Sequence, residues 1–172
     1  MTVAVPKKIP VRKLLEDAGV TLVSKKDSRL MRVLSWILPW RYAFMNRMWT
    51  TVSSRRIHAP SWVDVAGNIE PYRSVIMHEL VHVAQFKRLG FLMGLGYLFP
   101  LVPLPCAYWR WRFEREAYLV QIRDFGRDID ATVDTLWRSY AWLWPKPLMR
   151  AWFRREAAKP DPTLSSTGAD AS

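Results

Sequence analysis

The chain has 172 residues, half of them hydrophobic, and a formal net charge of +11. This length is typical of one ordinary domain, and the charge favours anionic partners such as lipid headgroups, nucleic acid or acidic polypeptides without choosing among them. The single cysteine, Cys106, excludes an internal disulfide bond, which fits a reducing compartment.

The N-terminal part of the chain predicts two helices and then a strand. The first ten residues lack the apolar core and cleavage site of a secretory signal, so we expect a cytoplasmic location. Residues 10–18 predict a short helix that stops at Gly19. Residues 27–38, with Asp27 as the cap, predict a second helix, because apolar residues recur at helical spacing opposite a face with arginines. Residues 47–60 are rich in β-formers and predict a strand or the edge of a hairpin.

The C-terminal part predicts a series of helices and a tail. The predicted helices span residues 72–89, 108–125, 128–144 and 147–158. Pro71 in the first turn and Gly90 beyond the last residue mark the bounds of the first of them. Residues 159–172 are polar and proline-bearing, and we expect them to be disordered. Residues 1–158 are then predicted to form a single domain.

An uncharged stretch, residues 91–109, separates the long helix from the next one. The stretch is nearly long enough to span a bilayer, but its three prolines and two glycines argue against a continuous helix. Two interpretations remain, a buried loop or a shallow contact with an anionic membrane beside the basic surface.

The segment "HELVH" on the long helix predicts a metal site. His78 and His82 are four residues apart, so they share one helix face and both ring nitrogens can bind one zinc ion. Glu79 cannot easily be a ligand there, but it can reach a water held by the metal as the general base of an H-E-x-x-H motif. A chance pattern on a solvated face is the alternative. The apolar surroundings of the pair disfavour it, because a glutamate there is costly without a role or a partner.

A catalytic zinc site needs a third protein ligand and leaves its fourth position to water. His58 is the only histidine outside the motif. Glu114 and Glu116, in "FEREAY", are the competing carboxylates, and they flank the inward face of their helix on opposite sides. Helix geometry alone does not decide between these candidates.

Taken together, "HELVH", the following Gln85 and "FEREAY" resemble the gluzincin zinc metallopeptidases. The resemblance covers residues 51–118 and is greatest to the minimal single-domain forms and the CAAX prenyl protease-like branch. In that family a second helix carries Glu-x-x-Ala-Asp, whose glutamate is the third zinc ligand. The resemblance therefore implies Glu114 as the third ligand, with Ala117 at the alanine position.

The sequence departs from the family pattern at Tyr118, which occupies the position of the aspartate. The usual hydrogen-bonding partner of a zinc ligand is then missing, and Glu116 or Asp124 are the candidates to replace it. In peptide hydrolysis the carbonyl oxygen under attack becomes an oxyanion. The candidates to donate a hydrogen bond to it, in addition to the metal, are Tyr118, Tyr140 and His58.

The resemblance implies a mainly helical α+β fold, a zincin-like minimal metallopeptidase core in which a metal-binding helix pair lies beside a small edge strand or sheet. The implied activity is zinc-dependent hydrolysis of a peptide or protein substrate, with the strand in 47–60 pairing with the extended peptide. Alternatively, that strand is an ordinary edge, blunted by Arg55 and Arg56.

Two other classes of function compete with a peptidase. One is a catalytically inactive zinc-binding interaction protein. The other is a basic protein that binds a membrane surface or nucleic acid. Nucleic acid is not expected, because "YWRWRF" is better explained by a helix with tryptophans inside and arginines outside, and no nucleic-acid fold signature appears.

Overall fold

The computed structural model describes residues 9–37, 41–90, 92–93, 103–139 and 144–159. They form a mainly helical α+β fold with one small mixed sheet, as predicted. The helices are α1 (Val11–Asp17), α2 (Arg29–Ile37), α3 (Arg41–Asn46), α4 (Arg73–Leu89), α5 (Pro103–Phe125), α6 (Ile129–Ser139) and α7 (Lys146–Ala157). The strands are β1 (Thr21–Ser24), β2 (Thr50–Ser53) and β3 (Arg56–Ala59).

The sheet has β3 in the middle, with β1 parallel to it on one side and β2 antiparallel to it on the other. The predicted strand or hairpin in 47–60 is therefore confirmed as the β2–β3 hairpin, and β2 is an edge strand. Thr51 pairs with Ile57, and an irregularity follows between Thr51 and Ser53. Strand β1 and helix α3 were not predicted.

Several predicted helix bounds change. Helix α5 begins at Pro103 rather than at 108, because the first turn of a helix does not need the N–H that proline lacks. Ser28 rather than Asp27 caps α2, since its hydroxyl oxygen accepts a hydrogen bond from the backbone N–H of Met31 at 3.3 Å. Among the described helices, none is both long and apolar enough to cross a membrane.

Some sequence predictions fall on residues that the structure does not describe. They concern residue 38 at the end of the predicted second helix, residues 91 and 94–102 of the uncharged stretch, residues 140–143 in the predicted helix 128–144, and residues 160–172 of the predicted tail. These predictions lie outside the described residues.

Two apolar clusters hold the helices in place. One joins α1, β3 and α4 and includes Val11, Ile57 and Ile76, all fully buried. The other joins α5, α6 and α7 around Trp111 and Phe153. Helices α4 and α5 pack against each other, so their interface links the two clusters. Side chains on the facing sides of α4 and α5 are thus held by both clusters.

A buried lysine fixes α3 against the end of β1. The ammonium group of Lys25 donates hydrogen bonds to the backbone carbonyls of Phe44, at 2.5 Å, and Met48, at 2.7 Å. It also lies 4.0 Å from the centre of the Phe44 ring. Burial lowers the pKa of Lys25 to about 8, against the opposing effect of the Glu79 carboxylate. Carbonyls in the last turn of a helix lack partners within it. Lys25 satisfies one of these, that of Phe44, and also the carbonyl of Met48 just beyond the helix.

Candidate metal centre

Two histidines on consecutive turns of α4 direct their ring nitrogens at each other. The Nε2 atoms of His78 and His82 are 3.2 Å apart, and both side chains are buried. This arrangement follows from the four-residue spacing, which places both rings on the face of α4 that packs on α5. The predicted pair is therefore an inward-facing pair rather than part of a solvated surface.

Glu114 on α5 completes a group of three donor atoms. Its Oε2 atom lies 3.3 Å from Nε2 of His78 and 3.6 Å from Nε2 of His82, and it is buried as well. The three donor atoms all lie within 4.8 Å of one another, and no other such group occurs among the described residues. The structure thus brings together the three side chains that the sequence singled out as ligands.

The spacing of these atoms can be compared with that of a tetrahedral zinc site. Zinc–ligand bonds of about 2.0–2.1 Å place the donors of a regular tetrahedron roughly 3.3–3.4 Å apart. The three separations of 3.2, 3.3 and 3.6 Å scatter around that value. Two imidazole nitrogens and one carboxylate oxygen are also the donor set of known catalytic zinc sites with an open fourth position. The residues present therefore fit a zinc ion.

The charges in the cluster are coupled through one buried carboxylate. Burial raises the pKa of Glu114, but His82 and His78 outweigh it and hold that pKa well below its usual range. Burial likewise lowers the pKa of His82, but the Glu114 carboxylate, with a smaller contribution from Glu79, raises it to about 9. Without a metal, a proton on His82 neutralises the carboxylate, and a bound cation would take the place of that proton.

Gln85, one turn after His82, orients the ring of that histidine. Its amide nitrogen donates to the backbone carbonyl of Phe113, at 3.0 Å, and to Oε2 of Glu116, at 2.9 Å. Both partners are acceptors only, so the amide oxygen must face Nδ1 of His82, which lies 2.9 Å away. Nδ1 then carries the proton, and deprotonation leaves the lone pair on Nε2, towards the other donors. Sequence reasoning used Gln85 only as part of a pattern and missed this role.

The other candidates for the third ligand (Glu116 and His58) and for the replacement of the missing aspartate (Glu116 and Asp124) lie elsewhere. Glu116 accepts the hydrogen bond from Gln85, so it supports His82 through an intermediate side chain. Asp124 is exposed near the end of α5. His58 is next to Ile57, whose partner Thr51 faces α4, and successive residues of a strand point to opposite faces. The His58 ring therefore lies on the face of the sheet away from the cluster.

Tyr118 takes part in the cluster as an apolar wall. Its ring packs edge-on against the ring of His78, with centroids 4.6 Å apart. The guanidinium carbon of Arg127 lies 4.9 Å from the centroid of the same Tyr118 ring. Burial, with the nearby charges of Glu114 and Glu79, raises the pKa of Tyr118, so its hydroxyl stays neutral. Nδ1 of His78 is buried and has no hydrogen-bond partner within the described residues. The expectation from Tyr118 was that one histidine of the pair would lack a hydrogen-bonding partner, and His78 does so within the described residues. Tyr140 lies outside the described residues.

Glu79 is buried beside the cluster and bonded to the edge strand. Its Oε2 atom accepts a hydrogen bond of 2.6 Å from the hydroxyl of Thr51 in β2. Its charge is close enough to contribute to the raised pKa of His82. Glu79 is not a member of the three-donor group. The contact with Thr51 was not predicted, because nothing local in the sequence connects residues 51 and 79.

Comparison of the chain with protein-family models, curated proteins and solved structures found no match. The chemistry of the site therefore has to be inferred from its own donor atoms and their surroundings.

Proposed function

We propose that the protein is a zinc-dependent metallopeptidase in which His78, His82 and Glu114 bind the metal and Glu79 is the general base. The observation that carries this proposal is the convergence of the three donor atoms at separations that suit tetrahedral zinc, with a fourth ionisable side chain beside them but outside the set. When bound, zinc supplies Lewis acidity and lowers the pKa of water at its open position.

The buried position of Glu79 suits proton transfer. Thr51 holds one carboxylate oxygen, Oε2, which fixes the side chain and leaves the other oxygen to exchange a proton. In the proposed reaction Glu79 accepts the proton of the attacking water and then donates it to the nitrogen of the leaving amine. A carboxylate enclosed by protein can perform both steps without exchanging its proton with bulk water.

The proposed substrate strand lies next to this base. Strand β2 is at the edge of the sheet, and its residue Thr51 contacts Glu79 directly. An extended peptide that pairs with the open side of β2 would run past the base, which is a general way to hold a peptide backbone. The alternative was that Arg55 and Arg56 make β2 an ordinary edge that no peptide joins. Both arginines follow the end of β2, so neither lies within the strand that would pair with a peptide. This supports the substrate-binding interpretation.

Thr51→Val should lower peptide hydrolysis while zinc binding stays unchanged. Valine keeps the shape of threonine but cannot donate the hydrogen bond that fixes Glu79, and a hydrogen bond to a charged group is worth roughly a tenfold effect or more. We expect kcat to fall by about that factor, with zinc content as in the wild type. Thr51→Ser keeps the hydroxyl and is the matched control. Equal activity of the valine variant and the wild type would show that the contact has no role in catalysis.

Zinc affinity should rise with pH. Burial lowers the pKa of His82, but the carboxylates raise it to about 9, so at neutral pH the ring binds a proton that zinc must displace. The dissociation constant should then fall about tenfold per pH unit between about pH 6 and 8, and level off above about pH 9. A chelator-competition titration measures it, and calorimetry in buffers of different ionisation enthalpy counts the released protons. A dissociation constant that does not change with pH would contradict the coupling of His82 to Glu114.

One observation favours a second candidate, a zinc-binding protein without catalysis. His78 lacks a hydrogen-bond partner on Nδ1 within the described residues, whereas metal-binding histidines almost always have one. Incubation of the purified protein with a mixed peptide library, read by mass spectrometry, separates the two candidates. The peptidase predicts new cleavage products that disappear with a chelator and return with zinc. Zinc binding with no cleavage products would favour the inactive protein.

A further inference from the structure

The outward face of α2 exposes three large apolar side chains. Leu30, Val33 and Trp36 are 53%, 60% and 79% exposed, although each is of a type that usually contributes to a core. Their spacing of three residues places them along one side of the helix, and we call them the α2 apolar face. The inward side of α2 is already satisfied, because Met31 and Ser35 are buried. The three side chains of the α2 apolar face therefore do not contribute to the core of the fold.

Basic side chains lie beside this face at both of its ends. Between residues 26 and 56 the chain carries seven basic residues and a single acidic residue, Asp27. All seven basic residues are exposed, namely Lys26, Arg29, Arg32, Arg41, Arg47, Arg55 and Arg56. The guanidinium group of Arg41, at the start of α3, lies 5.6 Å from the centre of the Trp36 ring. At the other end of the face, Leu30 lines one cavity together with Arg55 and Arg56. Exposed apolar side chains and basic side chains therefore share this surface.

These features favour one kind of partner. A helix with bulky apolar residues on its outer side, flanked by arginines and lysines, has the composition of an element that lies in the interface of a membrane with anionic lipids. Tryptophan prefers that interface, because its ring is apolar and its N–H remains available to water and headgroups. A second copy of the chain would bring two strongly positive surfaces together, which costs free energy. Nucleic acid would match the charge, and its bases could stack on Trp36, but it would leave Leu30 and Val33 without a role.

We propose that the α2 apolar face, with its flanking basic residues, docks the protein on an anionic lipid surface. This proposal is independent of the metal site, because none of the three apolar residues belongs to the cluster. It also differs from a contact through residues 91–109, most of which lie outside the described residues.

The test measures binding to vesicles of phosphatidylcholine with and without phosphatidylserine, by co-sedimentation at low and high salt. We expect the wild type to bind only the anionic vesicles and to bind less as salt rises. Val33→Ser combined with Trp36→Ser should weaken binding at least about tenfold, because two large side chains no longer leave water. Leu148→Ser is the matched control, since Leu148 is 56% exposed on α7, and it should bind as the wild type does.

Three results would overturn the proposal. The first is a wild type that does not bind anionic vesicles. The second is a Val33→Ser, Trp36→Ser variant that binds as well as the wild type. If Leu98→Ser with Phe99→Ser then abolishes binding, the contact belongs to residues 91–109. The third is a concentration-dependent dimer in sedimentation velocity that the α2 variant loses, which would show that a second copy covers this face. Thermal unfolding of each variant, recorded in parallel, should match that of the wild type and separates loss of docking from loss of the fold.

Discussion

Replacing Glu79 by glutamine should lower peptide hydrolysis by about 10²–10⁴-fold, the usual effect of removing a general base. Glutamine has the size of glutamate and can still accept a hydrogen bond from Thr51, as the carboxylate does at 2.6 Å. It cannot accept a proton at neutral pH. The loss could exceed this range, because in the proposed reaction the same carboxylate also returns the proton to the leaving amine. The measurement is kcat/KM on a peptide identified from the library.

Zinc content distinguishes the proposed role of Glu79 from a structural one. Glu79 lies outside the three-donor group, so Glu79→Gln should bind zinc as the wild type does. Glu16→Gln, an exposed change of the same kind on α1, is the matched control and should leave activity unchanged. If Glu79→Gln loses zinc together with activity, the division of roles within "HELVH" is wrong. If it cleaves as fast as the wild type, the activity belongs to another site or to a contaminant.

Replacing Glu114 by alanine should weaken zinc binding far more than replacing Glu116. Glu114 Oε2 lies 3.3 and 3.6 Å from the two imidazole nitrogens and would bind the metal directly. Glu116 contacts only Gln85 among these groups, and loss of such a supporting partner costs about 10–100-fold in metal affinity. The dissociation constants of the two variants, measured by competition with a chelator, give the order directly.

The two variants also control for each other, because both remove a carboxylate from α5 two positions apart. Thermal unfolding in the presence of a chelator should be recorded for both, so that lost affinity is not confused with lost structure. Glu114→Ala leaves His82 without the carboxylate that raises its pKa, so its remaining zinc binding should depend less on pH. A larger loss in Glu116→Ala than in Glu114→Ala would move the third ligand to Glu116 and contradict the geometry of the cluster.

Much of the candidate site could be predicted, because its two histidines stand at helical spacing on one helix. The four-residue spacing of His78 and His82 fixes their common face wherever the helix lies. The choice of Glu114 over Glu116 came from the resemblance and not from helix geometry, because both residues flank the inward face of α5. Only the packing of α4 on α5 separates them, by bringing one carboxylate to the imidazoles and the other to Gln85.

The parts that sequence reasoning missed depend on contacts between distant residues. Strand β1 is four residues long and pairs with β3, more than thirty residues away, so no local pattern announces it. Lys25 was overlooked as a core residue, because lysines are almost never fully buried unless they are paired. The bond between Thr51 and Glu79 likewise needs the sheet and α4 to meet first. Each of these features contributes to holding the β2 edge beside the cluster.

The zinc content of the purified protein tests the central claim most directly. After purification without chelator and supply of zinc, elemental analysis should find about one zinc per chain in the wild type, and a strong loss in both His78→Ala and His82→Ala, because each removes one of three ligands. Wild-type protein that is folded and retains no zinc under these conditions would contradict the metal site, and the proposed peptidase with it.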